Sequence, residues 1–149
     1  MKVILYMAVS RDGFIAREDD STGWSDDEWD LYADKVKEVG NLIIGSRTYA
    51  IMKEQDEFAQ LGSPEIVVLG REGVNSPEAA IERLEEKGFS VALLAGGCLT
   101  NTSFAEKGLI DEMCLDVENV FFGKGVPLMN VSLKRELLET RVITPSLKQ

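Results

Sequence analysis

Four short strand-like runs, Val3 to Val9, Leu42-Ile43-Ile44, Glu65 to Leu69 and Val91 to Ala95, constrain this chain most. The first and last are continuous apolar runs rather than alternating ones, so side chains on both faces must be buried, as in parallel strands covered by helices. Between the runs lie helical patterns. From Asp26 the apolar residues Trp29, Tyr32, Val36 and Val39 recur at steps of three and four up to Gly40, which predicts an amphipathic helix. Tyr49 to Phe58 forms a second candidate helix. Ser76-Pro77-Glu78 opens a third with a hydroxyl cap, a proline at the first position and an acid at the positive end of the dipole; Ala80, Ile81 and Leu84 face inward and Lys87-Gly88 stops it. Leu99 to Lys107 is a fourth. Met113 to Phe122 is expected as a longer strand, with Lys134 to Ile143 as its antiparallel neighbour after the Gly123-Lys124-Gly125 turn. The class is therefore α/β: three layers, a mainly parallel central sheet, an antiparallel C-terminal strand pair and flanking helices. The 149 residues show no repeat or linker and are expected to form a single domain, 1–149.

Composition narrows the chemistry. Sixteen Lys and Arg against 26 Asp and Glu leave a net charge of −10, which would repel nucleic-acid phosphates over most of the surface. No histidine is present, so Ser-His-Asp, Cys-His and HExxH sites are excluded. Cys98 and Cys114 have no CxxC partner and suggest neither a zinc cluster nor a disulfide framework. The acidic run from Glu18 to Asp30 lacks calcium-loop spacing, and no metal site is expected. The apolar start is too short for a membrane span and lacks a signal-peptide cleavage site, so a cytoplasmic setting is expected, with no nucleic-acid or membrane partner.

Ligands of open α/β sheets gather at the carboxyl ends of the strands. Here three strand ends finish in glycine beside polar or basic residues: Gly45-Ser46-Arg47-Thr48, Gly70-Arg71 and Gly96-Gly97. Glycine lets the backbone approach a phosphate, a following helix N-terminus offers free N–H groups, and Arg47 and Arg71 supply bidentate forks. Together these could hold a dinucleotide. No strand is followed by GxGxxG or by a Walker loop, so a nucleotide fold of another kind is required.

Met7-Ala8-Val9-Ser10-Arg11-Asp12-Gly13-Phe14-Ile15-Ala16 resembles the opening of the dihydrofolate-reductase-like superfamily, including the pyrimidine reductase domain of riboflavin biosynthesis. Asn41 to Tyr49 is similar to its Gly-Arg-x-Thr phosphate loop. Ala95-Gly96-Gly97 with Gly108 to Met113, and Phe122 to Leu128, resemble its late glycine pair, Leu-x-Asp-Glu segment and glycine-rich turn. The resemblance implies an NADPH-dependent reductase that transfers hydride to a small pterin- or pyrimidine-type heterocycle. By matched position, Ala8, Asp12 and Gly13 would lie near the nicotinamide and Gly45, Ser46, Arg47 and Thr48 would meet the phosphates. Arg71 would sit beside the adenosine 2′-phosphate, and Gly96 and Gly97 would pass close to the pyrophosphate or ribose. Hydride chemistry needs alignment and exclusion of water rather than histidine.

The substrate side departs from the resemblance. Folate reductases carry an acid five residues after a Trp. Five residues after Trp24 stands Trp29, so a dihydrofolate reductase needs Asp27, Asp30 or Asp34 to serve through a shift of the helix. The Asp-Pro-x-Leu segment that follows the phosphate loop in riboflavin-pathway reductases is absent after Thr48. Trp24, Trp29 and Tyr49 are candidates to border a flat substrate. A flavin is an alternative cofactor, a catalytically diverged nucleotide-binding or regulatory protein is an alternative function, and a homodimer through the C-terminal strands is a further expectation.

Overall fold

The computed structural model describes residues 1–149, and β1 (Lys2–Val9) is its centre. In chain order there follow β2 (Phe14–Ala16), α1 (Asp26–Val39), β3 (Asn41–Gly45), α2 (Ser46–Glu54), α3 (Glu57–Gln60) and β4 (Glu65–Leu69). Then come α4 (Pro77–Glu86), β5 (Val91–Leu94), α5 (Cys98–Glu106), β6 (Glu112–Glu118), β7 (Val126–Pro127), β8 (Val142–Thr144) and β9 (Leu147–Lys148). The main sheet has the order β4-β3-β5-β1-β6-β9-β8. Its first five strands pair in parallel and the last two join antiparallel, while β2 and β7 form a separate antiparallel pair.

Period-two geometry explains the continuous apolar runs. Ile4, Tyr6, Leu42, Ile44, Leu93 and Ala95 point to one face, where Ala33 and Val36 of α1 and Met52 of α2 pack on them. Val3, Leu5, Ile43, Ala92 and Leu94 point to the other, under Ala80 and Leu84 of α4 and Phe104 of α5. Two cores on one sheet make the three layers. Each large apolar side chain so enclosed contributes about 1.5–3 kcal/mol.

Three expected elements differ. The helix expected over 49–58 starts at Ser46 and breaks after Glu54, where Asp56 takes a left-handed φ of 52°; acidic residues at a helix C-terminus oppose the dipole, and Asp tolerates that conformation. The strand expected to reach Phe122 ends at Glu118. Beyond it Val120 N–H turns back to the Glu118 carbonyl at 2.8 Å, and its own carbonyl accepts from Arg11 N–H at 2.8 Å. Lys134 to Thr140 is not a strand, and the antiparallel neighbour of β6 is β9, in which Leu147 is wholly buried. Adjacent Leu137 and Leu138 would fall on opposite faces of a strand, so that segment cannot present one apolar face.

The β3–β5 junction has a single paired position, Ile43 with Leu94. Asn41, fully buried, completes it: its side-chain oxygen accepts from Leu93 N–H at 3.1 Å and its amide donates to the Val91 carbonyl at 2.8 Å. Asn41→Leu leaves both backbone groups without those partners and is expected to cost about 2–4 kcal/mol in urea unfolding. A loss under 0.5 kcal/mol would show that the ladder closes without this side chain.

Candidate active site

A cavity of about 760 Å³ opens at the carboxyl ends of β1, β3 and β5. Its wall includes Tyr6 and Ala8 of β1, Glu28, Trp29 and Tyr32 of α1, the 45–48 turn into α2, and Gly97 and Cys98 at the start of α5. The loop from Asp20 to Ser25 forms another side.

Two helices aim their N-termini here. Whereas α1 and α4 are capped by the Ser25 and Ser76 hydroxyls, α2 and α5 begin at Gly45 and Gly97 with no side-chain cap. Their first-turn N–H groups are left for an anionic ligand. Gly97 has a left-handed φ of 56°, which glycine adopts without strain. A Cβ at Gly96 would lie 2.6 Å from Ile44 Cα, so that glycine brings the end of β5 against β3 rather than facing the cavity.

Arg47 stands at the rim, 79% exposed, and pairs with the Asp20 carboxylate across the mouth. Arg71 lies outside the wall, on the exposed turn after β4, beside Gly70, whose Cβ position abuts Ser46 Oγ. Trp24 and Trp29 border the cavity. Trp24 stacks on Phe122 at 5.3 Å, and the Arg17 guanidinium lies 4.4 Å from the Phe122 ring centre. Tyr49 lies off the wall, stacked on Phe58 at 5.4 Å, because that face of α2 packs on α3. Asp12 and Gly13 are also off the wall. The Asp12 carboxylate accepts from Ser10 Oγ at 2.6 Å, Phe122 N–H at 3.1 Å and Gly123 N–H at 2.8 Å, so it ties the 10–13 turn to the 122–123 loop. These bonds hold its carboxyl below the usual aspartate range, the one from Ser10 most of all.

Of the acids that line the cavity, Asp20, Asp26, Glu28 and Glu57, only Glu28 is buried, and Asp27 and Asp30 are exposed on α1 away from the wall. Glu28 is 4% exposed, and behind it are the buried carboxyls of Asp116 and Glu118 on β6. Glu118 anchors the helix start, accepting from the Ser25 N–H at 2.9 Å and from the Ser25 hydroxyl. Asp116 accepts from Tyr6 Oη at 2.6 Å. Burial, then the Asp116 charge, pushes the Glu28 carboxyl from its ordinary 4.5 up to about 8. Burial also raises the Tyr6 and Tyr32 hydroxyls. At neutral pH Glu28 therefore carries a proton at the cavity wall, an arrangement suited to acid catalysis. A signal for it exists in the sequence: Glu28, Tyr32 and Val36 repeat every four residues, so one acid lies in line with the buried stripe of α1.

This sheet order with flanking helices defines the dihydrofolate-reductase-like fold shared by riboflavin-biosynthesis proteins. A proposed riboflavin biosynthesis protein from Shewanella sp. PV-4 superposes with a TM-score of 0.77 at 24% identity, covering 99% of this chain and 96% of that one. The diaminohydroxyphosphoribosylaminopyrimidine deaminase/5-amino-6-(5-phosphoribosylamino)uracil reductase of Thermotoga maritima superposes at 0.76 with 17% identity. This chain spans 54% of that bifunctional protein. RibD of Acinetobacter baumannii gives 0.77 at 15% identity, with 56% of its length covered. At these identities the likeness is one of fold. No protein-family model matches the chain. The chain belongs to the family of the uncharacterized protein YwjB of Bacillus subtilis (strain 168), with 35% identity over 147 residues, 87% of this chain and 83% of that one. No helix is long and apolar enough to cross a membrane.

The Glu28 environment sets a pH dependence. Above 4.5 the unfolded chain releases this proton, whereas the folded chain keeps it up to about 8. Folding therefore takes up a proton in that window, and stability falls as pH rises through it. Glu28→Gln is expected to gain about 1–3 kcal/mol on the wild type between pH 5 and pH 8.5 in urea unfolding. A difference that does not change with pH would show Glu28 ionising normally.

Proposed function

We propose that this protein is an NADPH-dependent reductase that transfers hydride to a small pterin- or pyrimidine-type heterocycle. The observation that carries the reading is the buried Glu28 carboxyl on the wall of an aromatic-lined cavity at the strand ends, where burial favours its protonated form. An anionic dinucleotide fits the chemistry of the opposite wall, where Gly45-Ser46-Arg47-Thr48 and Gly97-Cys98 begin two helices that no side chain caps. NADPH supplies the hydride when bound.

The chain's own residues do the rest. The N–H groups at the starts of α2 and α5 receive phosphate oxygens, and Arg47 adds a cationic fork after exchanging Asp20 for phosphate. Arg71 on the neighbouring turn serves the 2′-phosphate. Ala8, short and 8% exposed, leaves room for a flat ring over β1. Trp24 and Trp29 border the substrate and keep water out. Glu28 donates a proton to a ring nitrogen of the substrate as the adjacent carbon is reduced, and solvent restores it. Support for a heterocyclic substrate comes also from the shared fold of the uracil reductase of Thermotoga maritima. With the Asp-Pro segment missing after Thr48, a phosphoribosyl acceptor would need other residues, such as Arg11, Arg17 or Lys53, to bind its phosphate.

Titration with NADPH and NADH, followed by nicotinamide fluorescence, tests the cofactor. NADPH is expected to bind more tightly, and Arg47→Ala to weaken it about tenfold. Glu28→Gln is expected to leave the NADPH Kd within about twofold while turnover of an acceptor falls about 10²-fold or more. Wild-type turnover is expected to decline as pH rises through about 8, where Glu28 loses its proton. Binding of neither nucleotide at millimolar concentration would sink the reductase reading.

A further inference from the structure

Arg141, Gln149, Tyr6 and Asp116 form a chain of hydrogen bonds whose direction is fixed from one end. A guanidinium can only donate. Arg141 donates to Gln149 Oε1, which leaves the amide nitrogen as the inward-facing group. That nitrogen donates to Asp116 Oδ1 at 2.8 Å and to Tyr6 Oη at 3.0 Å. Having accepted there, Tyr6 turns its one proton to Asp116 Oδ2 at 2.6 Å. Both Asp116 oxygens thus accept from donors that cannot be reversed without breaking the chain. No side-chain donor reaches the Glu28 carboxyl, and Asp116 is near enough that its charge acts on Glu28.

Two neighbouring carboxyls in a buried site retain a proton, and it rests on the member whose ionised form is supported less. We propose that Gln149, oriented by Arg141, acts with Tyr6 as a positioning group that keeps Asp116 ionised and so fixes the pair's proton on Glu28, the member that faces the cavity. Burial above all, with the Glu118 charge, raises the Asp116 carboxyl too, and the Tyr6 and Gln149 donors oppose that rise. Tyr6 on β1, Tyr32 on α1, and Cys114 and Glu118 on β6 are the titratable neighbours. Neither Glu28 nor Asp116 takes part in an ion pair with Lys or Arg. Burial pushes the Cys114 thiol up to about 11, so it stays neutral over the working range. Glu118 is committed to Ser25. The β8–β9 hairpin, distant in sequence from the cavity residues, thereby sets the protonation of the site. The proposal rests on the reductase reading only in calling Glu28 a proton donor.

The test reads the proton directly, on the full chain without substrate. Carboxyl carbons labelled with ¹³C in Glu and Asp are followed by NMR from pH 4 to 10, roughly spanning both carboxyl transitions, with Glu28→Gln and Asp116→Asn used for assignment. In the wild type, the Glu28 carbon is expected to keep its protonated shift until pH approaches about 8, with Asp116 ionised at neutral pH. Gln149→Leu and Tyr6→Phe each remove one donor while leaving the backbone pairing of Arg141 and Gln149 in place. Each is expected to lower the Glu28 midpoint by about one pH unit or more and to raise that of Asp116. Arg141→Met, which frees the amide to turn over, is expected to act in the same direction. Glu28 midpoints unchanged in all of these folded variants, or Asp116 protonated at pH 7 in the wild type, would overturn the proposal. Should Gln149→Leu fail to fold, Tyr6→Phe and Arg141→Met decide it. Shifted midpoints in a protein that binds no NADPH would support the proton placement and overturn the reductase reading alone.

Discussion

Because β1 is hydrogen-bonded to β5 along one edge and to β6 along the other, its side chains can go only to the two faces of the sheet, and helices cover both. Every polar group placed there must find a partner inside the protein. Tyr6 illustrates the consequence. Its ring packs under α1 while its hydroxyl, 2% exposed as a residue, reaches Asp116 on the neighbouring strand. The same face carries Glu28 from the helix above, so the covering that stabilises the sheet also brings two carboxyls together away from water.

That meeting has an electrostatic cost. A carboxylate beside a second carboxylate in a dry setting is unfavourable, and the pair retains a proton to a pH where an exposed glutamate has lost its own. Asp116 has hydrogen-bond donors and Glu28 has the cavity. A proton is therefore favoured on a carboxyl at the cavity wall. The opposite wall carries the complementary charge, since two helices begin there at glycines without side-chain caps. Arg47, paired with Asp20, stands at the exposed rim of that wall.

Much of this was legible in the chain. The continuous apolar runs, the serine caps of α1 and α4 and the steps of three and four along α1 are local patterns, and the elements follow them closely. The 45–48 turn and Gly97, though not Gly96, also lie at the cavity, because glycine after a buried parallel strand marks where the chain leaves the sheet. Elsewhere local pattern misled. The segment 134–140 carries leucines and charges in an order that no half-buried strand can use. Leu147, near no other long apolar run, fills the core instead. Tyr49, adjacent in sequence to the phosphate-loop motif, points to α3 because a helix turns successive residues by about 100°.

The sequence by itself determined the parallel strands, the helices that cover them and the glycine turns at their carboxyl ends, since hydrophobic periodicity and turn chemistry act over a few residues. Only the tertiary structure decided which acid matters. Asp27, Glu28 and Asp30 lie within four positions of one another, and each is ordinary in isolation. Packing α1 on the sheet buries one of them near Asp116, and the return of the chain through β9 brings Gln149 to the same carboxyl. Protonation in a folded protein is set by what lies within a few ångströms, and those neighbours come from positions 6, 28, 116 and 149. No spacing along the chain encodes that encounter.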